Sequence, residues 1–462
     1  MTAADPVRSA ADPAVMDKVV SLAKRRGFVF PSSEIYGGAA STWDFGPLGV
    51  ELKNNVKRAW WRAMVQLRDD IVGLDAAILM HPRVWEASGH VENFTDPLVE
   101  CRNCRHRYRM DELPNGEALA DAWRSGSADL SSTACPNCGE RKLTDPRRFN
   151  LMFKTFVGPA EDSASVAWLR PETAQGIYVN FENVQQSARR RLPFGIAQIG
   201  KAFRNEITPK NFIFRSLEFE QMEMQYFCRP VEAAPAYEHW LARRQAWYAD
   251  LGMSAGLLRV REHAENERAH YAASAVDIEF HYPFGWKELE GVHYRTDFDL
   301  RRHAEFAGRD LSYFDDVRGE RFVPHVVETS VGADRATLSF LCAAYDEEPD
   351  KDGTRVVLRL HPSLAPYKVA VLPLSKKPEL SEAARRVWAE LRPHFMTTYD
   401  DTQAIGRRYR RQDEIGTPFC VTADFETLND QQVTIRDRDD MSQVRVPIVE
   451  VAACVRERLG LA

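Results

Sequence analysis

The apolar positions of this chain change period several times, and those changes divide it. In MDKVVSLAKRRG (16–27) and VELKNNVKRAWWRAMVQLRDD (50–70) they recur every three to four residues with Lys and Arg between them. That is the period of a half-buried helix, and Gly27 offers a left-handed stop to the first one. A glycine-rich loop, YGGAASTWDFGPLG (36–49), lies between them, and LDAAILMHP (74–82) predicts a short strand stopped by Pro82. DPRRFNLMFKTFVG (145–158) and AWLRPETAQGIYVNF (167–181) predict further strands and loops. VEAAPAYEHWLARRQAWYADLG (231–252) is helical in period. VDIEFHYPFGWKELEGVHYRTDFDL (276–300) alternates like two strands about Gly285, and HVVETSVGADRATLSFLCAAY (325–345) reads as a strand running into a helix. Prolines interrupt the pattern at LHPSLAPYKV (360–369). Beyond them KVAVLPL (strand) and ELSEAARRVWAELRP (helix) open a βα-alternating tail.

The most informative stretch is FRNEITPKNFIFRSLEFEQMEMQYF (203–227), an alternating run broken by TPKN and resumed. On a strand, residues two apart share a face. Phe219, Gln221 and Glu223 therefore share one side, Glu218 and Glu220 the other, and Arg204 points the same way as Glu206. Glu218 and Glu220 suit ordinary cross-strand ion pairs, each worth under about 1 kcal/mol. A plain solvated ribbon does not require Arg204, Phe219 and Glu223 on inward tracks among apolar neighbours.

Composition narrows the class. The 462 residues, at 44% hydrophobic and 28% charged, suit a globular chain of two to four domains. The net charge of −6 leaves any nucleic-acid contact to local patches. No apolar run approaches a membrane span, and the first residues carry neither an apolar core nor a transit-peptide pattern. Four of the eight cysteines form CRNC (Cys101, Cys104) and CPNC (Cys135, Cys138). Two such knuckles complete a tetrahedron for Zn²⁺, with His106 as an alternative ligand, and suit a reducing, cytoplasmic setting. GIAQIGKA (195–202) mimics a P-loop but ends in Ala202 where that loop needs a hydroxyl, so a strand between glycines is the better reading. GRRYRRQDEIG (406–416) gathers Arg407, Arg408, Arg410 and Arg411 around Tyr409, either a solvated helix face or a place for phosphates and an unpaired base.

Arg204-x-Glu206, a loop, then Arg215-x-x-x-Phe219-x-x-x-Glu223 resembles motif 2 of the class II aminoacyl-tRNA synthetases. SVGADRATLSFL, with Gly332, Asp334 and Arg335 opening a helix, is similar to motif 3, although Ser330 stands where many members have glycine. The segment 50–82 fits motif 1, with Pro82 as its proline. SSEIYGGAASTWDFGPLGVELKNN, RPETAQGIYVNF, FEQMEMQYF and HYRTDFDL resemble the homodimeric, bacterial-type glycyl-tRNA synthetases, from about Met16 to the C-terminus and least between Met110 and Ala134. The resemblance implies an α/β chain of α+β type: a class II antiparallel sheet flanked by helices, a zinc-binding insertion, and a C-terminal α/β anticodon-binding domain. The implied division is catalytic 1–100, insertion 101–140, catalytic 141–365 and anticodon-binding 366–462.

It further implies activation of glycine by ATP and transfer to the 3′ end of tRNA(Gly), by a homodimer using Mg²⁺. Arg204 and Arg335 carry catalysis. ATP falls to Arg204, Asn205, Glu206, Phe214, Arg215, Ser216, Leu217, Glu218, Phe219, Glu288, Leu289, Gly332, Ala333, Asp334 and Arg335. The adenine is expected between Phe219 and Arg335. Glycine falls to Arg109, Glu172, Phe219, Glu220, Gln221, Met222, Glu223, Arg295, Glu328, Thr329, Ser330, Val331 and Gly332, where carboxylates crowd an ammonium and leave no room beyond Cα. A synthetase for another small amino acid would need a further polar pocket group or an editing module. A non-catalytic relative would lack Arg204, Phe219 or Arg335.

Overall fold

The computed structural model describes residues 12–159, 161–162, 165–207, 211–264, 272–350 and 353–460. Its centre is a seven-stranded sheet built from β1 (Ile71–Gly73), β2 (Phe194–Phe203), β3 (Glu218–Cys228), β4 (Leu258–Glu262), β5 (Ser274–Tyr282), β6 (Gly285–Thr296) and β7 (His325–Gly332). The spatial order is β4-β5-β6-β7-β3-β2-β1. Every pairing is antiparallel except that of β1 with β2.

Most helices pack on one face of the sheet, while two, Ala174–Val179 and Phe298–Ala307, lie against Phe194, Ile196 and Phe227 at one end of the other. α1 (Pro13–Arg26) ends at Gly27, whose φ of 76° is the left-handed conformation that a side chain disfavours. α2 (Pro47–Trp61) carries Leu52, Val56 and Trp60 into the main core. After α3 (Ala174–Val179), α4 (Ala233–Asp250) lies behind the sheet. There Arg244 pairs with Glu290 of β6 at 2.5 Å, and Tyr248 donates to the same carboxylate at 2.7 Å. This buried pair has its charge and hydrogen bonds matched, which is what makes burial tolerable. α5 (Phe298–Ala307) follows β6, and α6 (Ala333–Ala344) follows β7 directly.

The hairpin phase holds. Met222 and Met224 sink into the helix-covered core while Gln221 and Glu223 face the other way. Arg204 and Glu206 lie just past the end of β2 rather than on it; one further ladder bond, Arg204 N–H to Leu217 O at 2.9 Å, fixes their departure. Of the TPKN turn, residues 208–210 lie outside the described residues.

Two expected strands differ. LDAAILMHP is not a strand; β1 ends at Gly73, and Leu74 makes the last ladder bond, to Ala197 O. Side chains then take over its backbone groups: Gln198 accepts from Ala76 N–H at 3.1 Å, and Arg170 donates to Ala76 O at 2.7 Å. AQGIYV is the helix α3, seated so closely that a Cβ on Gly176 would stand 2.7 Å from Ala76 Cβ.

The cysteine segment contains a three-stranded sheet, Arg107–Arg109, Thr95–Glu100 and Arg147–Asn150 in spatial order, and a helix, Gly116–Arg124. Downstream, β8 (Val369–Pro373), β9 (Thr397–Tyr399), β10 (Phe419–Ala423), β11 (Gln432–Asp437) and β12 (Gln443–Pro447) form a second sheet in the order β9-β8-β10-β11-β12. α7 (Pro378–Leu391), α8 (Ile405–Glu414) and α9 (Val451–Arg458) accompany it.

Candidate active site

The open face of the central sheet carries one continuous run of polar side chains from β3, β6 and β7. At the outer end is a cleft lined by Arg204, Glu206, Phe214, Arg215, Ser216, Phe219, Gln221, Glu288, Ser330, Gly332, Asp334 and Arg335. Arg204 donates to Pro171 O at 3.1 Å and lies 5.3 Å from the ring centres of both Phe94 and Phe219. Arg215 stands 3.6 Å from Glu206. Arg335 pairs with Glu288 at 3.1 Å and lies 4.5 Å over Phe214. Phe214, not Phe219, therefore carries the Arg335 guanidinium, with both rings beside the same cleft.

A register shift in the β5–β6 pairing at Ile278/Glu279 decides what β6 presents. Strict alternation back from Arg295 and His293 would aim Leu289 into the site. The bulge instead sends Leu289 into the core and Glu288 into the cleft.

Deeper in, three carboxylates converge. Glu223 accepts from Thr173 N–H at 3.1 Å, the Thr173 hydroxyl at 2.5 Å, the Ser330 hydroxyl at 2.6 Å and Gln221 Nε2 at 3.0 Å. Glu328 is held by Arg295 at 3.1 Å, His293 at 2.9 Å and Gln225 at 2.7 Å. Arg295 is clamped from its other side by Asp299 at 2.9 Å. Glu172 accepts from Gln175 at 2.9 Å and faces His90 at 3.5 Å. Burial pushes the Glu223 carboxyl up to about 7, helped by Glu328 and Glu172. Burial opposes ionisation of Glu328 as well, but Arg295 and His293 overrule it and hold that group near 2. Glu172, likewise buried, is kept below the usual range by His90 and Arg295. Among the described residues Glu223, at the centre, is thus the one of the three that makes no salt bridge.

The other expected side chains fall elsewhere. Glu218 pairs with Lys201 at 2.5 Å, and Glu220 with Lys53 at 2.7 Å and Lys57 at 2.9 Å, on the face away from the cleft. Met222, Leu289, Val331 and Ala333 are core residues, and Thr329 is buried on the same side as Val331. Leu217 and Asn205 meet their neighbours through backbone bonds to Ser41 O and Leu151 O. Arg109 pairs with Asp96 and Asp111, both at 3.0 Å, and adjoins Glu206 electrostatically. Thr173, Gln175, Asp299, Gln225 and His293 complete the carboxylate cluster without having been singled out. Thr173 and Gln175 follow Glu172 in RPETAQG, which is the one signal that pointed to them.

Lys53 of α2 joins the structural parts beneath the cleft. Its ammonium bonds Glu220 of β3 and, at 3.0 Å, Asp334 of α6, while Asp334 also accepts from Glu220 N–H at 2.9 Å. Despite burial, these carboxylates hold its pKa above the ordinary lysine value. Lys53→Met, which leaves buried Asp334 without its ammonium and Glu220 with Lys57 alone, is expected to destabilise the fold by about 3 kcal/mol; denaturant unfolding that moves by less than about 1 kcal/mol would contradict the link.

The Sγ atoms of Cys101, Cys104, Cys135 and Cys138 all lie within 4.8 Å of one another, the one such ligand group among the described residues. His106 is not part of it; its ring lies 5.4 Å from Tyr108. Four thiolate donors in that space suit tetrahedral zinc. In α8, Arg408 is buried against the carbonyls of Pro373 and Leu374, Arg410 pairs with Asp350 at 2.6 Å, and Arg411 with Asp400 at 2.5 Å. Three of the four arginines of GRRYRRQDEIG therefore serve the fold, and the Arg407 side chain is exposed.

An antiparallel sheet carrying an arginine-lined cleft, with a strand-to-helix turn supplying Asp334 and Arg335, defines a class II aminoacyl-tRNA synthetase. The fold agrees with a crystal structure of prolyl-tRNA synthetase from Cryptosporidium parvum complexed with L-proline and AMP (TM-score 0.63, 14% identity, 97% of this chain and 78% of that one). Residues 368–458 match the anticodon binding domain family. The chain is 56% identical over 457 residues to the glycine–tRNA ligase of Geobacillus kaustophilus, covering 96% of this chain and 99% of that one. It is also 56% identical over 450 residues to that of Treponema denticola, covering 96% and 97%. The chain belongs to the glycine–tRNA ligases, which are ATP-dependent ligases. Among the described residues no helix is long and apolar enough to cross a membrane.

Proposed function

We propose a division of labour within this site for the two-step glycine–tRNA ligase reaction. In step one a glycine carboxylate oxygen attacks the α-phosphorus of ATP, the bond to the β-phosphate oxygen breaks, and pyrophosphate leaves. In step two the terminal tRNA hydroxyl attacks the glycyl carbonyl, AMP leaves, and the hydroxyl proton is lost. Arg204, already fixed against Pro171 and two rings, stabilises charge at the α-phosphate and the reacting carboxylate. Preorganised cations do this without reorganising during the reaction. Phe219 takes the adenine ring, Glu206 and nearby backbone its edge, and Arg215 and Arg335 the outer phosphates, for which planar guanidinium forks are suited. Glu288 stands where a phosphate-bound Mg²⁺ would find a carboxylate, and that ion would offset the remaining charge of the triphosphate.

Glu172, Glu223 and Glu328 take the glycine ammonium. The observation that carries this reading is the buried Glu223, which makes no salt bridge among the described residues and lies between Glu328, paired with Arg295, and Glu172, facing His90. The Ser330 hydroxyl lies 2.6 Å from Glu223, and on this reading the crowding there excludes a methyl group beyond the glycine Cα. Glycine-dependent ATP–pyrophosphate exchange tests the reading: exchange is expected with glycine and not with alanine, serine or threonine, and equal exchange with any of these would overturn it.

The same reading keeps the division 1–100, 101–140, 141–365 and 366–462, a structural zinc on the four cysteines, tRNA(Gly) as partner, a dimer through the motif 1 segment, and a cytoplasmic setting. Purified protein is expected to carry about one zinc per chain by elemental analysis and to scatter light as a dimer. Metal-free preparations or a monomer would sink the corresponding reading.

A further inference from the structure

The segment Arg83–Phe94 contributes no side chain to the cleft, yet it touches both halves of the site. His90 Nε2 lies 3.5 Å from Glu172 Oε2. Four residues on, Phe94 lies 5.3 Å from the Arg204 guanidinium, on which Phe219 also bears. The His90 and Phe94 rings adjoin at 5.4 Å, and buried Trp85 meets His90 edge-on at 5.6 Å. The backbone of the segment is tied down along its length. Arg302 Nε donates to Ala87 O at 3.0 Å, Asn150 Nδ2 to Val91 O at 2.8 Å, and Leu151 N–H to Phe94 O at 3.0 Å.

We propose that this segment is a buttress that orients both reacting groups: His90 positions Glu172 for the glycine ammonium, and Phe94 positions Arg204 for the α-phosphate. The inference rests on the roles given above to Glu172 and Arg204.

The hydrogen bonds fix the polarity of His90. Nδ1 lies 2.8 Å from the Ser88 hydroxyl, which is also 3.3 Å from Trp85 O. Ser88 either donates to Nδ1 of a neutral ring, leaving the proton on Nε2, or accepts from an imidazolium while donating to Trp85. In both arrangements Nε2 presents a proton to Glu172. The remaining tautomer would set a lone pair against a carboxylate. Glu172 thus has one oxygen held by His90 and the other by Gln175, and the plane of the carboxylate is set before glycine arrives. Phe94 acts on Arg204 differently. With one hydrogen bond to Pro171, the guanidinium could pivot about it, and the two rings close that freedom.

Exchange kinetics with separate glycine and ATP titrations test the proposal. His90→Leu is expected to raise the glycine KM about 10- to 100-fold while the ATP KM stays within roughly twofold. His90→Gln, which keeps a donor, should recover most of that loss, and Ser88→Ala, which frees the ring, should raise the glycine KM severalfold. Phe94→Leu is expected to lower kcat about tenfold with the glycine KM unchanged. Should His90→Leu fail to fold, the Gln and Ser88 variants carry the test. Parallel changes in both KM values, or a Gln variant no better than Leu, would overturn the buttress. Glu172→Gln separates the two layers: if it raises the glycine KM and the His90 variants do not, the buttress alone fails, and if it leaves the glycine KM unchanged, the role of Glu172 fails and the inference with it.

Discussion

Arg204→Ala is expected to lower glycine-dependent ATP–pyrophosphate exchange by about 10²- to 10³-fold, the usual cost of removing one preorganised charge stabiliser. The fold should survive. Arg204 is half-buried, its guanidinium makes a single hydrogen bond among the described residues, to Pro171 O, and its neighbouring rings Phe94 and Phe219 remain packed without it. Unfolding free energy is expected to change by less than about 1 kcal/mol. Arg204→Lys should recover little, because an ammonium cannot span two acceptors as a planar guanidinium fork does. Exchange within tenfold of the unsubstituted enzyme would remove Arg204 from the reaction.

Glu223→Gln should separate stability from function. Burial and two neighbouring carboxylates raise this carboxyl from 4.5 to about 7, so the folded state favours the protonated form. Without glycine, the enzyme therefore loses stability as pH rises from about 4.5 through about 7. The amide carries no charge and escapes that loss. At pH 8 Glu223→Gln is expected to be more stable by about 1–3 kcal/mol and to bind glycine about 100-fold more weakly, having lost a buried countercharge. The unsubstituted enzyme should show the matching pH profile. Its glycine KM should rise as pH falls below about 7 because Glu223 takes up a proton, whereas the KM of the variant should be flat. A Gln variant that melts lower at pH 8 with an unchanged glycine KM would contradict both halves.

The hairpin was legible because a two-residue period leaves little choice: with Met222 and Met224 inside, Gln221 and Glu223 must face the open side. The cross-strand ion pair of Glu218 with Lys201 followed from the same phase, whereas Glu220 turned out to pair with the helix lysines Lys53 and Lys57. What resisted reading broke the period or lay in side-chain networks. A bulge near Leu289 exchanges the faces of Leu289 and Glu288, and no residue type announces it. LDAAILMHP has strand-like composition, but beyond Leu74 Gln198 and Arg170 meet the backbone groups of Ala76, and an isolated bridge of Leu79 with Leu169 takes the place of a ladder. The arginines of GRRYRRQDEIG looked available for phosphate until Asp350, Asp400 and three backbone carbonyls claimed three of them. Lys53 gave no local signal, since its partners lie 167 and 281 residues away in sequence (220 − 53 and 334 − 53). Electrostatic assignments inside the carboxylate cluster depend on which glutamate has a cation, and that is settled only when Arg295 and His293 fold beside Glu328.

The most direct test of the site is a crystal structure with a non-hydrolysable glycyl-adenylate analogue. The analogue amine is expected within hydrogen-bonding distance of Glu223 and at least one of Glu172 and Glu328, the acyl-phosphate mimic against Arg204, and the adenine against Phe219. An amine turned away from these carboxylates, or an adenine seated outside the Arg204–Arg335 cleft, would contradict the account.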